Sequence, residues 1–408
     1  MKVGINVLGL LPSVIGGGET YIRGLLAGLS RLGADAEFTL LTNRDNHATF
    51  GGLSAKFRRI RCNFSARWST PALAMTRVVG EQIYLPWRAA REGLDVIHSP
   101  LDTIPLAARC ATVMTLHDTN FAALPEAVSD VQRAIARALV KVSARHARAI
   151  ITVSEFSRRE ILARLPVNPQ RLFVVYNGAG PDGFWDAHQR LEAQSDMPVD
   201  GRYLLAFSSV NAHKNIAALI RAFARLGHGG DYRLAVVGNS PRGAESLPEL
   251  AESLGVGSRV IFTGYVSEAL KSRLLRNARL LAFPSLYEGF GLPVIEAMRA
   301  GVPVACSRAA ALPEIAGMAA RFFDPHDIED IRAALDELLT DEHLRTRLVE
   351  AGRLNARRFS WASTARQTMR VYRHAAGVAP EEVTEPEPFA AQARPSPRAA
   401  AMGGAPRA

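Results

Sequence analysis

Cysteine is scarce in this chain: Cys62, Cys110 and Cys306 are the only three among 408 residues. The number is odd and no pair shows a metal-ligand spacing. A disulfide framework and a zinc site are therefore not indicated, and a reducing compartment fits best. No apolar run reaches the ~20 residues that span a bilayer. The opening Met-Lys-Val-Gly-Ile-Asn-Val-Leu-Gly-Leu-Leu resembles a signal h-region only superficially. A glycine turn and an amphipathic helix follow at once, so it reads as a first strand, and the chain is expected to be cytoplasmic. Helix-turn-helix, zinc-finger and RNP-type aromatic patterns are missing, so no nucleic-acid partner is expected despite a formal net charge of +10. That charge leaves an anionic membrane surface or a phosphorylated substrate as partners.

What is present is length and alternation. A chain of 408 residues, 48% of them hydrophobic, suits two domains of ordinary size. Strand-like segments fall near 2–8, 37–42, 95–98, 111–116, 149–153 and 172–176. A second series falls near 203–208, 233–237, 260–264, 279–283, 303–306 and 321–323. Helical patterns separate them, as in the Ile22, Leu25, Leu26, Leu29 stripe. Ser157-Arg158-Arg159-Glu160 reads as a capping box for another helix. Such alternation predicts an α/β architecture: two Rossmann-like domains with parallel sheets, facing a cleft. The expected boundaries are residues 1–178 for the first domain, 179–202 for a linker and 203–358 for the second. From Gly377 onward six prolines fall in 32 residues, so 376–408 is expected to be a disordered tail. Ligands in open α/β sheets bind beyond the C-terminal strand ends, where Gly17, His98, His117, Ser154, Lys214, Gly238 and Glu288 all fall.

Residues 284–301, Pro-Ser-Leu-Tyr-Glu-Gly-Phe-Gly-Leu-Pro-Val-Ile-Glu-Ala-Met-Arg-Ala-Gly, carry the most chemistry. Pro293 suits the first turn of a helix and Gly301 its end. Glu288 then precedes the helix and Glu296 lies about one turn inside. The glycines bring backbone N–H groups close to a ligand at the positive end of the helix dipole. Carboxylates beside such amides suit a polyol phosphate. Lys214 opens a helix, where a cation opposes the dipole, and a phosphate ligand would reverse that mismatch. Gly16-Gly17-Gly18 is neither a dinucleotide fingerprint nor a P-loop.

The 284–301 segment resembles the Glu-x7-Glu signature of retaining glycosyltransferases of family 4, which have the GT-B fold, and the likeness extends over most of residues 1–375. Phe359-Ser360-Trp361 resembles that family's entry into a C-terminal helix, here 359–375, crossing back onto the N-terminal domain. The resemblance implies that Glu296 accepts both ribose hydroxyls of a nucleotide-sugar donor, that Glu288 and His117 meet the transferred sugar, and that Phe290, Gly291 and Leu292 offer backbone N–H groups. It also implies that Lys214 holds the diphosphate and that Gly17 and Gly18 close over donor or acceptor. Gly238 and Tyr265–Val266 resemble the parts that hold the base. Family members commonly carry an arginine five residues or one residue before the lysine. Ser209 and His213 stand there instead, and His213 is expected to supply part of the missing charge. Ser154-Glu155-Phe156-Ser157 resembles a segment lining the cleft, whereas His98 is expected to be structural.

The implied activity is transfer of a hexosyl residue, mannosyl on resemblance alone, to a glycan or lipid-linked acceptor in polysaccharide or glycolipid biosynthesis. No metal or other cofactor is expected, and no Asp-x-Asp cluster occurs. A GT-B-type sugar-nucleotide epimerase and a non-catalytic sugar-nucleotide-binding protein are the alternatives. Arg133, Arg137, Lys141 and Arg145 recur at i+4 with no acidic residue from 131 to 154. Like charges so spaced repel on a helix. The expected partner is an anionic membrane surface or a lipid-diphosphate acceptor, with the chain peripheral on the inner face of the plasma membrane, and the alternative is a solvated face balanced by acids elsewhere in the fold.

Overall fold

The computed structural model describes residues 1–12, 16–33, 36–66, 78–119, 130–180, 197–209, 212–227, 231–239 and 246–378. Most of the expected linker (181–196) and the tail from 379 lie outside the described residues.

Seven strands form one sheet: β1 (Lys2–Asn6), β2 (Glu37–Thr42), β3 (Phe57–Arg61), β4 (Val96–Ser99), β5 (Ala111–Thr115), β6 (Ala149–Thr152) and β7 (Leu172–Val174). Their order is β3-β2-β1-β4-β5-β6-β7. Six form a second: β8 (Tyr203–Phe207), β9 (Arg233–Val237), β10 (Val260–Gly264), β11 (Leu280–Phe283), β12 (Val304–Ser307) and β13 (Arg321–Phe323). Their order is β10-β9-β8-β11-β12-β13. Neighbouring strands pair in parallel in both sheets. The chain thus folds as two Rossmann-like α/β domains. Only β3 was not anticipated. Its sequence Phe-Arg-Arg-Ile-Arg breaks the apolar alternation, because it is an edge strand, where arginines block further pairing.

Among the described residues, four helices, α1 (Gly16–Arg31), α2 (Leu85–Glu92), α3 (Asp130–His146) and α4 (Glu155–Arg164), cover the first sheet. Seven accompany the second: α5 (Ile216–Ala224), α6 (Leu247–Ser253), α7 (Glu268–Asn277), α8 (Leu292–Ala300), α9 (Leu312–Ala316), α10 (Ile328–Thr340) and α11 (Glu342–Ala356). The cap of α4 differs from expectation: Ser154 is the N-cap, accepting from the Ser157 N–H at 3.0 Å. Ser157 stands inside the first turn, and its hydroxyl is spent elsewhere.

A last helix, α12 (Trp361–Ala375), returns to the first sheet and packs along α1. Three glycines make that approach possible. A Cβ on Gly24 would stand 2.1 Å from the Trp361 ring, one on Gly28 2.3 Å from the Trp361 carbonyl oxygen, and one on Gly178 2.2 Å from the Trp361 nitrogen. Trp361 is buried in that groove. Thr364 donates to the Tyr176 carbonyl at 2.8 Å, and His98 Nδ1 lies 2.6 Å from the Tyr372 hydroxyl. His98 also meets Thr115 at 2.8 Å. Fully buried and bonded on both nitrogens, His98 is a structural residue, and burial pushes its pKa down to about 3.

Candidate functional site

The site begins where the turn after β8 is sewn to the loop after β11. Asn215 adopts a left-handed conformation (φ 56°), which asparagine tolerates. Its amide donates to the carbonyls of Pro284 at 3.3 Å and Pro325 at 2.8 Å. The Leu286 N–H donates to the His213 carbonyl at 2.8 Å. These bonds bring Lys214 Nζ to 2.6 Å from Glu288 Oε1, with side chains only 18% and 12% exposed. Lys214 also lies 5.3 Å from the Phe283 ring centroid. Before a ligand arrives, His213 does not make up the missing charge. Burial first, and Lys214 second, pull its pKa below the usual histidine range, so it is neutral at neutral pH.

Gly291 takes a positive φ of 96° and caps α8 without a side-chain bond, with Pro293 in the first turn and Gly301 closing the C-terminus at φ 75°. Pro293 has no N–H and the Val294 N–H donates to the Gly291 carbonyl at 3.0 Å, so at the start of α8 the Leu292 amide, with that of Gly291 before it, is the one open to a ligand. Phe290 turns its ring into the core, edge-on to Phe359 at 5.6 Å, leaving its backbone for the cleft. Glu296 lies one turn into α8, as expected, but not alone. Lys271 of α7 stands 3.2 Å from Glu296 and 2.5 Å from Glu268. Burial works to pull Lys271 down, yet Glu296 and Glu268 together hold its ammonium above the usual lysine range. Burial pushes the Glu296 carboxyl up, and Lys271 opposes that. Sequence reasoning missed this lysine, whose only signal was the Glu268-x-x-Lys271 spacing on a short helix.

The first domain supplies the facing wall. Gly16–Gly18 form the first turn of α1 rather than a loop before it. A Cβ on Gly17 would have Leu292 as its nearest neighbour, at 4.0 Å, so this turn stands across from the start of α8. His117 follows β5, edge-on to Tyr21 at 4.8 Å, and its Nε2 lies 3.1 Å from the Pro100 carbonyl. A carbonyl only accepts, so Nε2 carries the proton. Burial pushes the pKa of His117 to about 4, so at neutral pH Nδ1 is left as an acceptor. Gly238 behaves differently from its expected role. Its N–H is committed to the Gly264 carbonyl at 2.8 Å, and a Cβ there would stand 2.3 Å from the Ser208 carbonyl oxygen. It shapes the strand end and has no amide to offer a base.

The two walls are clasped. Ser154 donates to the Gly289 carbonyl at 2.6 Å, and Ser157 donates both to that carbonyl and to the His117 carbonyl. A Cβ on Gly289 would stand 2.6 Å from the His117 carbonyl oxygen, so only glycine fits beside Glu288. From α9, Glu314 accepts the Glu155 N–H at 2.7 Å and the Phe156 N–H at 2.9 Å, capping α4 across the cleft. Tyr287 meets the Thr119 hydroxyl at 3.0 Å. The structure therefore gathers Lys214, His213, Glu288, the α8 amides, Glu296, Gly17 and His117 around one cleft.

Comparison with known proteins follows this division. The family described as Glycosyltransferase Family 4 matches residues 15–182, and that described as Glycosyl transferases group 1 matches 188–355. The chain is 32% identical over 296 residues to the O-antigen chain mannosyltransferase B of Escherichia coli, covering 70% of this chain and 76% of that protein. It is also 32% identical over 224 residues to the serotype-specific mannosyltransferase WbdA of Escherichia coli, where the match spans 53% of this chain and 28% of the longer relative. Among solved structures, sucrose-phosphate synthase from Thermosynechococcus elongatus superposes with a TM-score of 0.71 at 20% identity, covering 91% of this chain and 98% of that one. The fold is therefore GT-B.

Proposed function

Because the chain belongs to glycosyltransferase family 4, we propose that it transfers a hexosyl residue, with retention, from a nucleotide-diphosphate sugar to a glycan or lipid-linked acceptor in polysaccharide or glycolipid biosynthesis. The observation that carries this reading is the Lys214–Glu288 pair beside the uncapped start of α8, facing Gly17 and His117 across the cleft. The similarity to two mannosyltransferases supports mannose as the hexose.

A diphosphate leaving group needs its growing charge stabilised where it forms. Lys214 and the α8 amides are placed for that work. Lys214 exchanges Glu288 for the diphosphate, and Glu288 is then free to accept from hydroxyls of the sugar. His117 Nδ1 takes another sugar hydroxyl. Glu296, held beside Lys271, accepts the ribose hydroxyls. The bond from the anomeric carbon to the diphosphate oxygen breaks, and the acceptor oxygen bonds to that carbon on the same face. The acceptor proton passes to the departing phosphate oxygen. No resident metal or cofactor is part of this scheme. On the acceptor side, the exposed cations Arg137, Lys141 and Arg145 of α3 suit an anionic membrane surface carrying a lipid-linked acceptor. The Arg133 side chain lies outside the described residues.

The test is thermal stabilisation by a panel of nucleotide sugars, on the parent chain and on Glu296→Ala. At ~100-fold excess over its dissociation constant, a donor adds about 2.7 kcal/mol. Stabilisation by one donor, lost in the variant, is the expected result. Folded protein that responds to no donor in the panel, with or without acceptor, would sink the proposal.

A further inference from the structure

Ten large apolar side chains are exposed among the described residues, and six of them, Val79, Ile83, Trp87, Leu106, Ile135 and Val142, lie on one face of the first sheet. The packing shows that the face is shared. Leu85 of α2 packs with Ile97 of β4, while Val140 and Ala144 of α3 pack with Met114 of β5. Ser99 pairs with Met114 in register, so Ile97, two residues before Ser99, points to the same side as Met114. Hydrogen bonds stitch the elements together. Gln82 bonds the Ile104 carbonyl at 2.9 Å and the Leu106 N–H at 3.1 Å, and Ser143 of α3 accepts the Ile104 N–H at 3.2 Å.

On the helical run 78–92, Val79, Ile83 and Trp87 recur every fourth residue, with Ile83 67% and Trp87 52% exposed. Arg91 ends the row, its guanidinium 5.5 Å from the Trp87 ring. On α3, the exposed Ile135 and Val142 run beside the exposed Arg137, Lys141 and Arg145. Among the described residues those three cations form no ion pair, whereas the acids of the neighbouring helix are occupied. Glu81 is buried and accepts from Thr103, and Glu92 pairs with Arg58 and Arg88. Unneutralised cations flanking tryptophan and branched aliphatics are the composition of helices that lie in a bilayer interface.

We infer that this face docks on an anionic phospholipid bilayer, with Ile83 and Trp87 entering the boundary between headgroups and acyl chains while Arg137, Lys141 and Arg145 engage the headgroups. The inference extends the membrane contact proposed above, which rests on the α3 cations alone, and assigns the insertion to a second helix. It does not depend on the donor site.

The experiment is co-flotation of the full chain with phosphatidylglycerol-containing and pure phosphatidylcholine vesicles, with tryptophan quenching by brominated lipid. Flotation only with anionic vesicles is expected, with a quenching component that Trp87→Phe removes. Each membrane-facing cation contributes about 1 kcal/mol, so R137Q/K141Q/R145Q should weaken binding roughly a hundredfold. Ile83→Ser with Trp87→Ser should weaken it about tenfold while donor-induced thermal stabilisation stays unchanged. Absence of flotation overturns the inference, as does flotation whose quenching survives Trp87→Phe. Capture by an acidic protein in place of vesicles overturns it too. Loss of donor stabilisation in the parent chain would instead strike the transferase reading and leave the vesicle result standing.

Discussion

The ion pair at the centre of the cleft can be taken apart by a double-mutant cycle on Lys214→Met and Glu288→Gln. At 2.6 Å and an effective dielectric of about 20, the gross Coulomb attraction is roughly 6 kcal/mol. Desolvation of two side chains that are 18% and 12% exposed offsets most of this. A net coupling of about 2 kcal/mol is expected, below the 3–5 kcal/mol of breaking a fully buried pair. Each single variant of the ligand-free chain should lower the urea midpoint at unchanged slope, and the double variant should lose clearly less than the two singles summed. Additivity within about 0.3 kcal/mol would falsify the reasoning. The same variants separate structure from function. If Lys214 passes from Glu288 to the diphosphate, Lys214→Met forfeits a charged hydrogen bond of roughly 1.5–3 kcal/mol. Donor binding should then weaken by about ten- to a hundredfold. Glu288→Gln should weaken it less, since the lysine is released before the donor arrives.

Three other outcomes follow from the geometry. Gly24→Val places branched carbon where the Trp361 ring lies 2.1 Å from the added Cβ. It should destabilise the chain by about 3 kcal/mol or more and undock α12, seen as a red shift of Trp361 emission; unchanged emission and midpoint would refute the close approach. Stability should fall as pH drops from 6.5 towards 4. His117 and His98 titrate at about 4 and about 3 when folded but near 6.5 unfolded, so the unfolded chain binds the extra protons in that window. At pH 5 the loss is roughly 2 kcal/mol for each fully screened-from-water histidine, less for the part-exposed His117, and a flat urea midpoint from pH 7 to 5 would contradict it. Glu314→Ala removes a carboxylate that receives two first-turn N–H groups of α4, costing about 1–2 kcal/mol. It should also loosen the cleft, raising the radius of gyration in solution scattering, and a stability loss without expansion would make Glu314 a cap and not a clasp.

Much of this architecture was legible because it is written locally. A parallel strand buried on both faces is a short apolar run, and Leu280–Phe283 or Val304–Ser307 can be read without knowing their neighbours. The turn into α8 was legible for the same reason: Gly291, Pro293 and Gly301 each answer a backbone requirement within one helix. β3 was not, because at an edge the apolar residues are few and arginine serves as well. The cap of α4 was displaced by three residues because Ser154 and Ser157 both fit a capping signal, and only the carbonyl of Gly289, 132 residues further on, decides what Ser157 does. Lys271, Glu314 and the groove around Trp361 share that difficulty, since their partners lie 25 to more than 150 residues away.

The partners that escaped the sequence also change what the site is before a donor arrives. Both signature carboxylates hold a lysine: Glu288 holds Lys214, and Glu296 holds Lys271. The ligand-free cleft is therefore close to charge-balanced at these positions, although the chain carries +10, and His213 adds no proton to tip it. On the proposed function, a donor diphosphate does not meet a waiting cluster of free cations, as it would in a phosphate-scavenging protein. It must draw Lys214 away from a carboxylate 2.6 Å distant, which an isolated phosphate does poorly. A sugar on the same donor offers Glu288 hydroxyls in exchange. The pairing thus favours ligands that bring diphosphate and sugar together, so the bare nucleotide diphosphate should bind more weakly than the sugar-bearing donor. Glu288→Ala should erase that preference, because the carboxylate that needs the sugar is gone.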